Sequence, residues 1–547
     1  MKPKSPAVFL VFALVLFSSL ATADDELLTV AERSGYTETS RNADVIAFAR
    51  ELAARSDEIR LDWLGRSISG NPIPLLILGK PVPSKPSDLI GDKRLCVYIQ
   101  ANIHAGEVEG KEATLMLARD ILLGDLSPLL DDLVILIVPN LNTEGNDQIS
   151  PDNRRYQGGP EKGVGLRYTY QNFDLNRDWM KLESPEARSV VKLLNEWDPA
   201  VLVDCHTTNG SFHREPITYA PAYNPSGDPE VLAYNTDVLV RAADDRLKEV
   251  FGYESIPYGN FTDRNDPTKG WTTFSHHPRY TTNYVGLRNR LAILIETYAY
   301  AEFSTRVLSN YGYLEAILYH CAGDKEAIAG LIADADAKAY ERLQQMSVER
   351  DRIVNAVKVE VLPEPLDILS YEFESYTDER GSQRLRPTEV EKTYTVPHYG
   401  KFVGTSWLPM AYAYFLPLGM EDAVAKLRQH GIVVERLTRD TNLKVSRFKI
   451  EGIESAEYIY QGHRFTTVKG SWEENEESLP AGTWVVRTAQ PLGTLAAYLL
   501  EPESDDGLIT WNLFDRYLTR QWGGGFGSFP VLKLMQPQNL PAEVPAP

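Results

Sequence analysis

The sequence predicts an α/β fold with a largely parallel sheet, and two observations carry that reading. Short, wholly apolar, β-rich runs recur through the first part of the chain, as buried parallel strands require. Segments of helical periodicity separate those runs, which is the alternation of a layered α/β domain. The 547 residues are 43% hydrophobic, enough for packed cores and too apolar for a chain that stays unfolded. Against 56 basic side chains stand 76 acidic ones, a formal net charge of −20 that argues against a nucleic-acid binder built on clustered Lys and Arg.

At the amino terminus, Lys2 and Lys4 precede an apolar run over residues 7–20, and Ala21-Thr22-Ala23 gives a small-x-small cleavage pattern. The run is shorter than the ~20 residues that span a bilayer, and Asp24-Asp25-Glu26 follows at once. Residues 1–23 are therefore predicted to be a signal peptide, and the remaining 547 − 23 = 524 residues an exported protein, periplasmic or secreted, with no membrane span. Three cysteines, Cys96, Cys205 and Cys321, supply no disulfide framework; Cys96 and Cys205 lie in apolar runs and read as small buried hydrophobes.

Residues 44–55 have helical periodicity. Residues 73–79 (IPLLILG) and 95–101 (LCVYIQA) read as strands, and a helix is expected over 111–123. Residues 133–138 (LVILIV) form another strand, stopped by Pro139. Ser184, Pro185 and Glu186 announce a helix to Trp197 by cap, first-position proline and first-turn acid. A strand over 200–204, a helical stretch over 229–250 and a last strand over 291–295 (LAILI) complete a catalytic module of residues 24–330. A helical connector is expected over 331–362. An α+β accessory module follows over 363–535, with a helix over 420–429, and 536–547 is read as an unstructured Pro-rich tail.

Four motifs carry chemistry. His104 and Glu107 stand three apart around Gly106, just beyond the strand 95–101, where both side chains can meet one ion. His206 follows the strand ending VLVDC; two His, one carboxylate and an open position make a catalytic zinc pattern, whereas three scattered cysteines cannot build a closed structural site. Asp204, on the same side of that strand, is either a partner of the imidazole or a buried acid with a backbone partner. Glu296 ends the strand LAILI, where a carboxylate is costly unless used or paired. Asn176 and Arg177, within NFDLNRDW, can bind a carboxylate or form an ion pair with Asp174 or Asp178. Glu107, His206 and Glu296 each follow an apolar strand at its carboxyl end, where open α/β sheets bind their ligands.

This combination resembles the zinc metallocarboxypeptidases, the carboxypeptidase A-like family, over about residues 40–320. The resemblance implies a mixed sheet of about eight strands with helices on both faces. It implies one zinc ion per chain, held by His104, Glu107 and His206, with Glu296 as general base and acid. It implies Asn176 and Arg177 as the site for a substrate's C-terminal carboxylate. The family's carbonyl-polarising arginine maps to Arg155, in preference to Arg154 and Arg167. Its mobile tyrosine maps to Tyr280 or Tyr284, of which Tyr284 is taken. The segment 212–288 does not align readily; its His213, His276 and His277 read as solvated loop residues.

The implied function is an exported metallocarboxypeptidase acting on peptide or protein C-termini. Two alternatives stand beside it: a related zinc amidohydrolase, deacylase or peptidoglycan amidase, and an inactive exported binding module.

Overall fold

The computed structural model describes residues 27–208, 210–378, 381, 383–519 and 527–545, so the expected signal peptide lies outside the described residues. An eight-stranded mixed sheet organises the first part of the chain. Its strands are β1 (Ile59–Arg66), β2 (Pro72–Leu78), β3 (Leu95–Ala101), β4 (Leu133–Val138), β5 (Val201–Thr207), β6 (Ile217–Pro221) and β7 (Ser255–Pro257). Two short strands, β8 (Asn260–Phe261) and β9 (Trp271–Thr272), lie outside this sheet, and β10 (Leu291–Thr297) completes it. The order is β1-β2-β4-β3-β5-β10-β6-β7, with β4, β3, β5 and β10 running parallel and β6 antiparallel to β10.

The apolar runs are continuous because both faces of these strands are buried. Along β3, Cys96 and Tyr98 face one core while Val97 and Ile99 face the other. The helices Asn42–Arg55, Glu109–Leu123 and Phe303–Gly323 contribute to one core, and the helices Pro185–Trp197 and Thr281–Gly286 to the opposite one. Cys205 belongs to the first of these, which turns its thiol away from the side chains of Asp204 and His206. All three cysteines are buried and unpaired.

The C-terminal part is strand-rich: β11 (Arg352–Val361), the hairpin β12 (Leu366–Thr377) and β13 (Gln383–Val396), then β14 (His398–Pro409). A seven-stranded antiparallel sheet follows, from β15 (Ala413–Leu416), β16 (Glu435–Leu437), β17 (Thr441–Ser455), β18 (Thr466–Leu479), β19 (Trp484–Arg487), β20 (Ser528–Leu534) and β21 (Ala542–Glu543). This part interlocks with the first. Trp271 and Thr272 of β9 pair with His398 and Tyr399 of β14, and Val190 and Leu194 share one apolar core with Leu427, Phe448 and Tyr498.

Two sequence expectations change. The connector 331–362 is helical only to Tyr340, where the helix Lys325–Tyr340 ends, and it puts Ile328 and Ala335 in the core of the first module. Residues 352–361 form β11 instead, because Ile353, Val357, Val359 and Val361 are β-branched at alternating positions. The Pro-rich tail is not free: Leu540 is buried, and Ala542 and Glu543 pair with Leu437 and Arg436.

Arg306 and Glu109 form a fully buried ion pair that joins two helices of the first core. The same guanidinium donates to the carbonyls of Gly158, Gly159 and Ala301. Breaking such a pair strands a buried charge, so Arg306→Met is expected to cost about 3–5 kcal/mol, measured by denaturant unfolding. Glu109→Gln added to it should recover part of that loss; no recovery would show that the carbonyl contacts, not the charges, dominate.

Candidate active site

The carboxyl ends of β3, β5 and β10 lie side by side. β3 leads through a turn to His104 and Glu107, whose amide donates to the His104 carbonyl at 2.9 Å. Gly106 between them is required by space: a Cβ there would stand 2.7 Å from Arg154 Cδ and 3.0 Å from the Gly165 carbonyl oxygen. His206 and Glu296 are register partners across the parallel β5–β10 ladder, so their side chains leave the same face.

Three potential ligand atoms converge. His104 Nδ1 lies 3.2 Å from His206 Nδ1 and 3.2 Å from Glu107 Oε2, and His206 Nδ1 lies 3.0 Å from the same Oε2. The outer nitrogen of each ring meets a buried carboxylate: His104 Nε2 is 2.9 Å from Asp174 Oδ1, and His206 Nε2 is 2.9 Å from Asp204 Oδ2. The second contact is a charge contact rather than an aligned hydrogen bond. Those carboxylates favour a proton on Nε2 and leave Nδ1 bare, the arrangement that orients metal-binding imidazoles. With both rings neutral, two bare nitrogens and a carboxylate oxygen face one another, a repulsion that a cation resolves; without a cation, imidazole protons directed at Glu107 resolve it. The residues present therefore fit a metal ion.

Electrostatics separates the two glutamates. Burial works to raise the Glu107 carboxyl, but His104, Arg154 and the hydrogen bonds from both imidazoles hold it well below its ordinary value. Glu296 is pushed up to about 8, chiefly by burial and then by the Glu107 charge, against His206, Arg154 and Arg167. His206 is raised well above its ordinary value, because Asp204 and Glu107 outweigh burial.

The arginines are placed differently from the sequence expectation. Arg155 points away: its side chain is 69% exposed and pairs with Asp152 at 3.0 Å. Arg154 is part of the frame, with Nη1 2.6 Å from Glu107 Oε1 and Nη2 donating to the carbonyls of Thr207 and Thr208. Arg167 lines the cleft, 3.3 Å from Glu107 Oε1, and is held by Asp174 Oδ2 at 2.9 Å. Residue 154 has φ 50°, a left-handed kink that sends neighbouring side chains in opposite directions.

A cleft of about 390 Å³ contains His104, Glu107, Arg167, Asn176, Arg177, Tyr280 and Glu296 together. Arg177 lies over the Tyr280 ring, 4.1 Å from its centroid, and Asn176 Oδ1 accepts from the amide and hydroxyl of Thr281 at 3.0 Å each. Tyr284 is not in this cleft. It is fully buried, with its hydroxyl 2.8 Å from His430 Nδ1, one turn further along the helix that Tyr280 caps. Tyr258, Phe274 and Leu294 also line the wall and carried no sequence signal beyond being apolar or aromatic.

Of the loop histidines, His213 and His276 are buried and His277 is part-exposed. His213 is buried against Tyr298, with ring centroids 4.1 Å apart. His276 Nε2 meets Asp505 Oδ2 at 3.0 Å, and His277 Nδ1 meets Ser275 Oγ at 2.8 Å. Asp174 is the main residue that sequence reasoning underused. Its place in NFDLNRDW marked it only as an ion-pair partner, yet it touches His104, Arg167 and the Asn176 amide.

Residues 45–275 match the family profile of zinc carboxypeptidases. The chain carries a zinc carboxypeptidase-family domain. The matched stretch takes in the three candidate ligands, Arg167, Asn176 and Arg177, and stops before Tyr280 and Glu296. The chain is similar to Carboxypeptidase 2 of Trichophyton rubrum, 22% identical over 516 residues that span 88% of this chain and 86% of that protein. It is also similar to Carboxypeptidase 2 of Trichophyton equinum, 23% identical over 509 residues, 88% of this chain and 85% of that one. Among solved structures, a metallo-carboxypeptidase from Burkholderia cenocepacia is 20% identical and covers 51% of this chain and 68% of its own, with a TM-score of 0.38. A metallo-carboxypeptidase from Pseudomonas aeruginosa is 19% identical, with 52% and 68% covered and a TM-score of 0.37.

Proposed function

We propose that the chain is an exported, zinc-dependent carboxypeptidase. The observation that carries this is the convergence of His104, Glu107 and His206, the first two of which line one cleft with Glu296 and the Asn176–Arg177 pair. Zinc held by the three ligands supplies Lewis acidity, polarising a carbonyl and acidifying water. Glu296 accepts the proton of the attacking water on its carboxylate and passes it to the leaving amine. That base must be ionised, and the nearby charges of Arg154 and Arg167 favour the ionised form against the burial that raises it. Arg167, rather than Arg155, faces the scissile carbonyl and donates to the oxyanion as charge develops.

Arg177 takes the substrate's free carboxylate, with the Tyr280 ring beneath its guanidinium to fix its plane. Asn176, anchored through Oδ1 to Thr281, keeps Nδ2 as a donor beside it. The two carboxyl groups lining the cleft, Glu107 and Glu296, have other roles, and Tyr258, Phe274 and Leu294 offer apolar wall. Among the described residues lining the cleft, no further carboxylate is left for a terminal Lys or Arg side chain. Among the described residues no helix is long and apolar enough to cross a membrane.

Glu296→Gln is expected to retain zinc and to lose about 10²- to 10⁴-fold in kcat. Arg167→Ala should lose about 10²- to 10³-fold in kcat while Arg155→Ala is unchanged. Steady-state kinetics with a metal assay checks all three, and equal losses in the two arginine variants would remove Arg167 from the oxyanion role.

On a peptide panel, free C-termini should be cleaved and amidated ones spared, with apolar terminal residues ahead of basic ones. Arg177→Ala should act mainly through KM. Equal cleavage of amidated peptides would refute the clamp, and preference for N-acyl-amino acids would replace peptidase by deacylase. For export, amino-terminal sequencing of the mature protein should begin at Asp24; an intact Met1 would refute it.

A further inference from the structure

The C-terminal module reaches the active site through one tight turn. Tyr460 and His463 exchange backbone hydrogen bonds of 2.8 and 3.0 Å, and the two residues between them, Gln461 and Gly462, have φ of 50° and 83°. Two left-handed central residues are the pattern of a type I′ hairpin turn. Glycine meets that demand freely, whereas Gln461 occupies a conformation that non-glycine residues rarely adopt. Its side chain is used there: Gln461 Oε1 accepts the backbone amide of Asp174 at 3.1 Å.

Asp174 is the residue on which the cleft is hung. Its Oδ1 meets His104 Nε2 at 2.9 Å and accepts the Asn176 amide at 3.0 Å, and its Oδ2 accepts from Arg167 Nε and Nη2. The turn is braced independently of that contact. His463 Nε2 meets Glu183 Oε1 at 2.9 Å and His463 Nδ1 meets Asn512 Oδ1 at 3.1 Å. The adjoining Phe465 ring stacks under Arg279, whose guanidinium lies 4.7 Å from the ring centroid and whose amide donates to Asp506 at 2.7 Å. Arg279 directly precedes Tyr280, so one C-terminal segment grips both sides of the carboxylate pocket.

We propose that this turn is a working part of the active site, with Gln461 a positioning residue. By fixing Asp174 it fixes the ligand His104, the cation Arg167 and the Asn176 arm of the clamp. The C-terminal module then sets metal affinity and carboxylate recognition rather than merely packing beside the catalytic module. The inference rests on the reading of His104, Glu107 and His206 as zinc ligands.

The test uses the full chain and two variants that keep the backbone demand at position 461 constant. Gln461→Met matches the length and lacks the acceptor; Gln461→Glu keeps an acceptor at the same reach. Zinc affinity is read by chelator competition, kcat and KM on a free-carboxylate peptide, and Tm on the zinc-free protein, with His206→Ala as control. Gln461→Met is expected to bind zinc on the order of 10-fold more weakly, as loss of an outer-shell partner does, and to raise KM, with an unchanged zinc-free Tm. Gln461→Glu should recover most of both.

Wild-type zinc affinity and KM in Gln461→Met would overturn the proposal and leave the functional reading intact. Equal impairment in both variants with a lowered Tm would reduce Gln461 to a structural contact and overturn it as well. Undiminished zinc binding by His206→Ala would overturn the functional reading and the proposal with it.

Discussion

The ionised carboxylate of Asp174 is the constraint on which the site depends. Burying a charge is expensive unless donors surround it, and here an imidazole, a guanidinium and a backbone amide do so. Burial pushes its pKa up, yet His104, Arg177 and Arg167 more than reverse that, so it stays charged far below its usual range. One charge thereby orients the His104 imidazole, the Arg167 guanidinium and the Asn176 amide at once. None of these three groups can shift without disturbing the other two.

The sheet supplies what that network needs. Three parallel strands put their carboxyl ends together, and register pairing sends His206 and Glu296 out of the same face. Packing on both faces makes those ends rigid, since each strand is wedged between two apolar layers. The opposing pKa directions of Glu107 and Glu296 follow from position alone. The first is surrounded by donors and cations, whereas burial dominates at the second. Two chemically identical side chains thus acquire different tasks from their surroundings.

Much of this was legible in the sequence, and the reason is specific. Strands buried on both faces are uninterrupted apolar runs, so a His or Glu at such an end stands out, and His104, Glu107, His206 and Glu296 were all visible in that way. Arg155 and Tyr284 were misplaced because loop and turn geometry decides them. A left-handed residue at Arg154 turns Arg155 to solvent, and one helical turn separates the cleft residue Tyr280 from the core residue Tyr284. β11 was read as helix because its alternation was masked by a helix-forming composition just before it. The part played by the C-terminal module left no local trace, since contacts such as that of Gln461 with Asp174 join residues far apart in the chain.

Gln461 is made 287 residues after Asp174. The growing chain therefore holds all its candidate zinc ligands well before it holds the turn that contacts Asp174. Contacts of such separation form late, because a long loop must close before they yield anything. Under the role proposed for Gln461, a chain whose last third has not yet docked would hold zinc and carboxylate more weakly than the finished fold.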